Sequence, residues 1–551
     1  MRLIVKILFF SCVTILLLIN GLYYQTQSDT VFPTYIFGCF NGGTNALPTS
    51  FGCFSFIGYL MNYLSNFIKP EFIYDGFQLA LVLMSIIIIS IIFINRIRLN
   101  SSISILLLTT FFILLIDFCS PFEFSKTSFI LSFCSFLLPK IKRNIFIQIT
   151  FFSLAFLIRP EPVAIVACIF LIYELTNINI REPIKHIRTL IKNNLIFVLA
   201  FTLLSLLINI SYTEEDEAYK KIRPFEYSLS DFNRNLPSHI ELDKIDSIKI
   251  KAAMNFFYAD KEELNFDYFE KRKIDKRDKT PISIFRSLVN FGANFKFDNQ
   301  FKSIVKELTF YWIFCLIWLS FLLLNKNIRL FLFVLTSVLF LILIAIFFKP
   351  ELHFITPHFS VVFILSIIEF NHQREEKNDF LISRIVFGIT FTLSLMQIFL
   401  FQQKQIDKSK IKHNYFEKII MDIEAVDDGL MIIMDVGVWD EFHYKLFSKI
   451  QPLNYRNIVV VDGGILYLNK EYQNKMKSLT EKEYFIDQYS YLFDSEKLLV
   501  YTSDKRLKLI SDYVKIIYNK EFYLKRFKEF KSGKIESSGF NNTILLSNKT
   551  D

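Results

Sequence analysis

The sequence predicts a mainly α-helical, polytopic transmembrane bundle of about eleven spans, followed by a small α/β domain. Three observations predict it. Of 551 residues, 52% are hydrophobic and 21% charged, proportions that coexist only when the two kinds are segregated along the chain. Apolar runs approaching the roughly 30 Å thickness of a bilayer core recur from Leu3 to Phe401, and none occurs from Gln402 to Asp551. Lys and Arg gather in alternate connections between those runs.

Taken in order, the apolar runs are 4–22, 76–95, 102–118, 127–139, 145–158, 162–176, 194–210, 308–324, 329–348, 357–370 and 382–401. The first follows Met1 to Lys6 and imitates a secretory signal, but no small-x-small cleavage site precedes Gly21-Leu22-Tyr23-Tyr24, so it is expected to stay as an uncleaved helix. The short runs 127–139 and 145–158 are also compatible with a re-entrant hairpin, which leaves the parity unchanged. The transmembrane domain is expected at 1–401 and an extracytoplasmic α/β domain at 402–551.

With the N-terminus in the cytoplasm, the inner connections carry Arg2, Lys6, Arg96, Arg98, Lys140, Lys142 and Arg143. Further along they carry Arg181, Lys185, Arg188, Lys192, Lys326, Arg329, Arg374, Lys377 and Arg384. The short outer connections hold only Lys69, Lys126, Arg159 and Lys349. Much of the net charge of +9 is spent on this asymmetry, so nucleic acid is not an expected partner.

Outer loop 1 at 23–75 is rich in Gly, Asn, Thr and aromatics, and Phe51 to Phe67 has the spacing of an interfacial amphipathic helix. A large outer loop at 211–306 shows helical pattern in Ile248 to Ala259, and its charged run Lys271 to Lys279 reads as a solvated linker. In the C-terminal domain, strand-like runs at Leu430–Met434, Ile458–Val461 and Leu498–Tyr501 alternate with helical periodicity, notably Leu507 to Tyr518. The seven cysteines precede Lys326 and lie mostly in apolar runs, as packing residues; only Cys39 and Cys53 in loop 1 are placed for a disulfide.

No Walker loop, dinucleotide fingerprint, zinc-spaced Cys/His set or nucleophile elbow is present. What remains is charged residues at outer helix ends, where burial is costly. Asp29, just past the first helix, suits a base for an acceptor hydroxyl or a cation ligand, or else caps a turn. Lys126, in Phe124-Ser125-Lys126-Thr127, suits a lipid phosphate or simply snorkels to headgroups. In Arg159-Pro160-Glu161-Pro162 the prolines stop a helix, and Arg159 and Glu161 either grip a phosphate together or form a structural ion pair. His353 and His358, in a turn beside Lys349, Pro350 and Pro357, suit donation to a pyrophosphate or a sugar hydroxyl, or a structural role. All four clusters fall on one membrane face, whereas a transporter is expected to place ionisable groups near the midplane.

In the order of these motifs the chain resembles a C-type glycosyltransferase of the integral membrane (GT-C) superfold, specifically the bacterial multi-spanning proteins of envelope-polysaccharide loci. The resemblance rests on Asp29, the interfacial stretch Phe51 to Phe72, Phe124 to Thr127, the turn Phe156 to Glu161, the long insert after the seventh span, and Pro357-His358. It implies an enzyme, a hexosyl- or pentosyltransferase, using a polyprenyl-phosphate-linked sugar donor and a glycan or lipid acceptor at the bilayer. It also implies Asp29 as base or metal-site carboxylate, with a divalent cation (Mg or Mn) as the one cofactor it leaves room for. Members of that family often show two adjacent acidic residues, whereas Asp29 is flanked by Ser28 and Thr30. Inverting transfer is the implied reaction, with Arg159 and Lys126 facing the departing phosphate, and the cytoplasmic (inner) membrane is the implied location. The competing readings are a lipid-linked oligosaccharide flippase, an O-antigen-type polymerase using Arg223 and Arg234, and a non-catalytic scaffold.

Overall fold

A computed structural model describes residues 23–25, 70–96, 124–140, 145–178, 243–254, 308–348, 352–373, 430–433, 443–445, 458–460, 480–493, 498–521, 525–531 and 542–547, with shorter stretches between them. The described part is mainly helical. Helices α1 (Pro70–Arg96), α2 (Phe124–Leu137), α3 (Ile145–Ile158) and α4 (Pro160–Thr176) come first, then α5 (Lys244–Met254). They are followed by α6 (Thr309–Leu324), α7 (Ile328–Phe348), α8 (Leu352–Gln373), α9 (Phe485–Phe493) and α10 (Asp504–Tyr518).

Helices α3, α4, α6 and α7 follow the apolar runs to within two residues at each end. Three others start earlier than the runs suggest, α2 by three residues at Phe124. Helix α1 opens at Pro70, whose fixed φ and missing N–H suit a first helical position. Helix α8 opens at Leu352 and carries Pro357 inside, so the turn expected from Lys349 to His358 is helical from Leu352 onward. Proline there costs one backbone hydrogen bond, and the buried residues Ile355, Thr356, His358 and Phe359 hold the turn in place.

Counted over the described residues, no helix is long and apolar enough to cross a membrane. By backbone alone α1, α7 and α8 have 27, 21 and 22 residues, and at 1.5 Å per residue these run to roughly 31–40 Å. The described side chains cover only part of each. Helix α3, with 14 residues, spans only about 21 Å.

Helix packing relies on hydroxyls and aromatic rings. Along α2 the buried serines 125, 128, 132 and 135 recur at helical spacing on one face. Ser128 Oγ donates to the Ala155 carbonyl at 2.9 Å and Ser135 Oγ to the Gln148 carbonyl at 2.9 Å, so this face is stitched to α3. Small residues of this kind let helix backbones approach where apolar burial alone gives little preference. Cys134 Sγ bonds the Ser85 carbonyl of α1 at 3.2 Å, a packing role as its apolar run implies. Cys168 and Cys315 are also free thiols. Phe136 contacts Phe152, Phe170 and Phe197. On the other side of the bundle Trp318 packs with Phe321, Phe370 and Phe391, and its indole N–H donates to Ser366 Oγ at 2.9 Å.

The C-terminal segment contains a sheet. Strands β1 (Tyr23–Gln25), β2 (Leu430–Ile433), β3 (His443–Lys445), β4 (Ile458–Val460), β5 (Leu498–Ser503), β6 (Lys525–Lys531) and β7 (Asn542–Ser547) are described. Five of them form one sheet in the order β4-β2-β5-β7-β6. Strands β4 and β5 run parallel to β2 on either side, and β7 is antiparallel to both β5 and β6. The parallel centre lies on the three apolar runs named from sequence, and α10 covers the fourth. Edge strand β6 carries Lys525, Arg526, Lys528 and Lys531 and a register shift between Arg526 and Lys528. Charge and irregularity both discourage pairing with another chain. The remaining two strands form a ribbon, with β1 antiparallel to β3.

Candidate functional site

The second and third sequence clusters come together in space. Helix α3 ends at Ile158 and α4 begins at Pro160, leaving Arg159 between them with φ −160° and ψ 121°. A residue before proline is driven to this extended conformation, so the turn is written in the sequence. The extended turn points Arg159 at the start of α2. Its Nη1 donates to Ser125 Oγ at 2.8 Å, and its Nε donates to Glu161 Oε2 at 3.3 Å. In return, Ser128 Oγ donates to the Arg159 carbonyl at 2.7 Å.

Two helix N-termini therefore meet here. Each presents the positive end of its dipole, and α2 has no acidic residue in its first turn, whereas Pro160 and Pro162 leave the first turn of α4 short of N–H donors. Lys126 is buried at 5% exposure in that first turn, next to Ser125 and Thr127. Glu161, 60% exposed against 20% for Arg159, leans over the guanidinium from solvent and offsets part of its charge. Counted over the described residues the junction is net basic, with guanidinium, ammonium and serine donors, a setting suited to an anion with several oxygens.

The same donor set does not suit a divalent cation. Among the described residues its one carboxylate, Glu161, is already paired with Arg159, and its neighbours are hydroxyls and cations. Among the described residues, no group of His, Cys, Asp or Glu gathers so as to hold a metal ion.

His358 is not in an exposed turn. It is 1% exposed in α8, and its Nε2–H donates to the Ser337 carbonyl of α7 at 3.2 Å, while its ring lies 6.0 Å from that of Phe340. This contact joins two helices, and the structure does not bring it to Arg159 by any bond. His353 lies in the first turn of α8 by backbone, with its side chain outside the described residues. Asp29, Cys39, Cys53, Arg223, Arg234 and the run 271–279 lie outside the described residues as well. Of the interfacial stretch, Tyr63 and Phe67 are described, exposed and edge-to-face at 5.6 Å.

Sequence reasoning missed a second polar cluster. Asp260, in the segment 211–306 expected to form a large outer loop, is fully buried; its Oδ2 accepts from Tyr513 at 2.7 Å and from Tyr518 at 2.5 Å. Its Oδ1 accepts from the Glu263 backbone N–H at 3.1 Å, and Glu263 in turn pairs with Lys249 of α5 at 2.5 Å. Burial pushes the Asp260 carboxyl above its ordinary range, against the tyrosine and backbone donors that favour its charge. Burial, together with the hydrogen bond and charge of Asp260, pushes both tyrosine hydroxyls up as well, so they remain donors. Nothing in the local sequence Tyr258-Ala259-Asp260 announces partners more than 250 residues away.

A scan of family models, a search of curated proteins and a search of solved structures each find no match to this chain.

Proposed function

We propose that the chain is a multi-pass protein of the cytoplasmic (inner) membrane, N-terminus inside, that transfers a sugar from a polyprenyl-phosphate donor to an envelope glycan or lipid acceptor on the outer face. The observation that carries this reading is the Arg159 to Ser125 hydrogen bond of 2.8 Å. It joins two basic clusters and two helix N-termini into one anion-binding corner, at the end of α2, α3 and α4 that the Lys/Arg asymmetry assigns to the outside.

Contacts outside the bundle support the same topology. Strand β1 pairs with β3, and Asp260 bonds Tyr513 and Tyr518, so loop 1, the large loop and the C-terminal domain lie on one side. Six expected spans separate the first two and four separate the last two, and an even number is required in each case.

In the reaction the acceptor hydroxyl attacks the anomeric carbon and gives its proton to Asp29. The bond from that carbon to the phosphate oxygen breaks, and the lipid phosphate leaves as an anion. Arg159 and Lys126, at the positive dipole ends of α2 and α4, stabilise that growing charge. His358 holds α7 to α8 and takes no part.

The test is transfer of radiolabelled sugar from polyprenyl-phosphate donors in membranes holding equal amounts of wild type, Asp29→Asn or Arg159→Ala. Transfer by wild type and its loss in both variants is expected. Equal transfer by Asp29→Asn removes Asp29 from the site, and no transfer by wild type with any donor moves weight to a flippase or a scaffold.

A further inference from the structure

The C-terminal domain meets the outer segments at two separate places. One is backbone: β1 lies antiparallel to β3, with Tyr24 opposite Tyr444 and Gln25 opposite His443. The other is side chain: Tyr513 and Tyr518 of α10 hold the buried Asp260, and α5 packs along the same helix. Both attachments join residues far apart in sequence. Tyr513 is itself fully buried, so the contact is a packed seam and differs from the loose, polar interface of an appended module.

The two attachments also differ in kind. A strand pair fixes backbone direction and register, whereas a buried carboxylate with two hydroxyl donors fixes a point. A point and a separate strand pair, which fixes position as well as direction, constrain the domain at two places. The five-stranded sheet is its rigid part, since β2 is paired on both sides and β5 is paired to β2 and β7, and β3 stands outside that sheet on the connection from β2 to β4.

We propose that the C-terminal domain is a clamp that positions outer loop 1: β3 fixes the backbone at β1, and Tyr513 and Tyr518, through Asp260, anchor the clamp to the large loop. Tyr444, Tyr513 and Tyr518 are positioning residues. Asp29 follows Gln25 by four residues in the sequence. In its catalytic consequence the clamp rests on the reading of Asp29 as the base.

The experiment uses the full chain in native membranes, with Cys39 and Cys53 changed to serine throughout. In the pair Tyr24→Cys with Tyr444→Cys, antiparallel partners stand about 4.5–5.5 Å apart at Cα, within reach of a disulfide. A cross-link in the double variant and in neither single one is expected; its absence overturns the pairing.

Asp29→Cys is then labelled with a membrane-impermeant maleimide, alone and combined with Tyr444→Pro or with Tyr513→Phe and Tyr518→Phe together. The phenylalanine pair keeps both rings and removes only the hydroxyls, so it remains informative where the proline disrupts folding. Release of either attachment is expected to change the labelling rate on the order of threefold or more. An unchanged rate in both backgrounds overturns the clamp. Neither readout needs sugar transfer, so a wild type that transfers nothing sinks the glycosyltransferase reading while the clamp is still decided.

Discussion

Arg159 donates to the hydroxyl of Ser125, 34 residues away in sequence, at 2.8 Å across the gap between two helix starts. The bond is possible because the residue before Pro160 must be extended, which swings its side chain off the end of α3 and over the start of α2. A guanidinium is suited to this position because one edge can hold Ser125 while the fork still faces an anion.

Arg159→Lys is therefore expected to behave almost as badly as Arg159→Ala. An ammonium can replace the charge but cannot bond Ser125, Glu161 and an incoming phosphate in one plane. Transfer should fall at least about tenfold in both, or roughly 1.4 kcal/mol of barrier. Ser125→Ala, which leaves the charge in place, should lose about threefold. Lysine at wild-type rates would remove the geometric role and leave only charge.

The serine face of α2 should tolerate little added volume. Ser128→Ala removes one hydroxyl donor shared between the Ala155 and Arg159 carbonyls and is expected to cost about 1–2 kcal/mol. Ser128→Leu adds bulk where α2 and α3 approach and should cost about 1–3 kcal/mol more. Thermal denaturation of the detergent-solubilised protein, followed by loss of soluble monomer, separates the two. Equal midpoints for both would show that the helices are not closely packed at this point.

Trp318 reports on the other side of the bundle. Trp318→Phe keeps an aromatic ring beside Phe321, Phe370 and Phe391 but loses the indole bond to Ser366. The expected cost is about 1 kcal/mol in the same assay, because Ser366 Oγ keeps its own bond to the Phe363 carbonyl. A cost several times larger would mean that the larger ring, and not the hydrogen bond, fills the space.

The contact at Asp260 should weaken as pH rises. Burial lifts its folded carboxyl above the unfolded value, so the contribution is fully present below the unfolded value and is lost as pH climbs through the raised folded one. Glu263 adds to the lift, Lys249 answers Glu263, and the two tyrosine hydroxyls stay protonated across this window. Hydrogen exchange in α5 is expected to speed up with pH beyond its intrinsic chemistry, and Asp260→Asn should flatten that excess. An excess that persists in the asparagine variant would place the sensing group elsewhere.

The helices were legible because their signal is local. Apolar runs such as Ile145–Ile158 fix where a helix lies, and Pro160 fixes where the next begins. In the C-terminal domain β2, β4 and β5 were legible for the same reason, each being a short apolar run. Strands β1, β3, β6 and β7 were not, because Tyr23–Gln25 and Lys525–Lys531 are polar or mixed and become strands only by finding partners. At the candidate site, Arg159, Glu161 and Lys126 stood out as charges at helix ends. Their proximity did not, since it depends on how α2 packs against α3. The buried Asp260 looked like any loop aspartate until Tyr513 and Tyr518 arrived from the far end of the chain.

The ribbon of β1 and β3 has a consequence for biosynthesis. Tyr24 is made about 420 residues before its partner Tyr444. At about 5–20 residues per second this is a wait of roughly 20–80 s. Throughout that interval β1 has an open edge, exposed to chaperones, proteases and neighbouring nascent chains. A chain cut short before β3 would keep that edge open permanently, which gives quality control a simple mark by which to recognise unfinished copies.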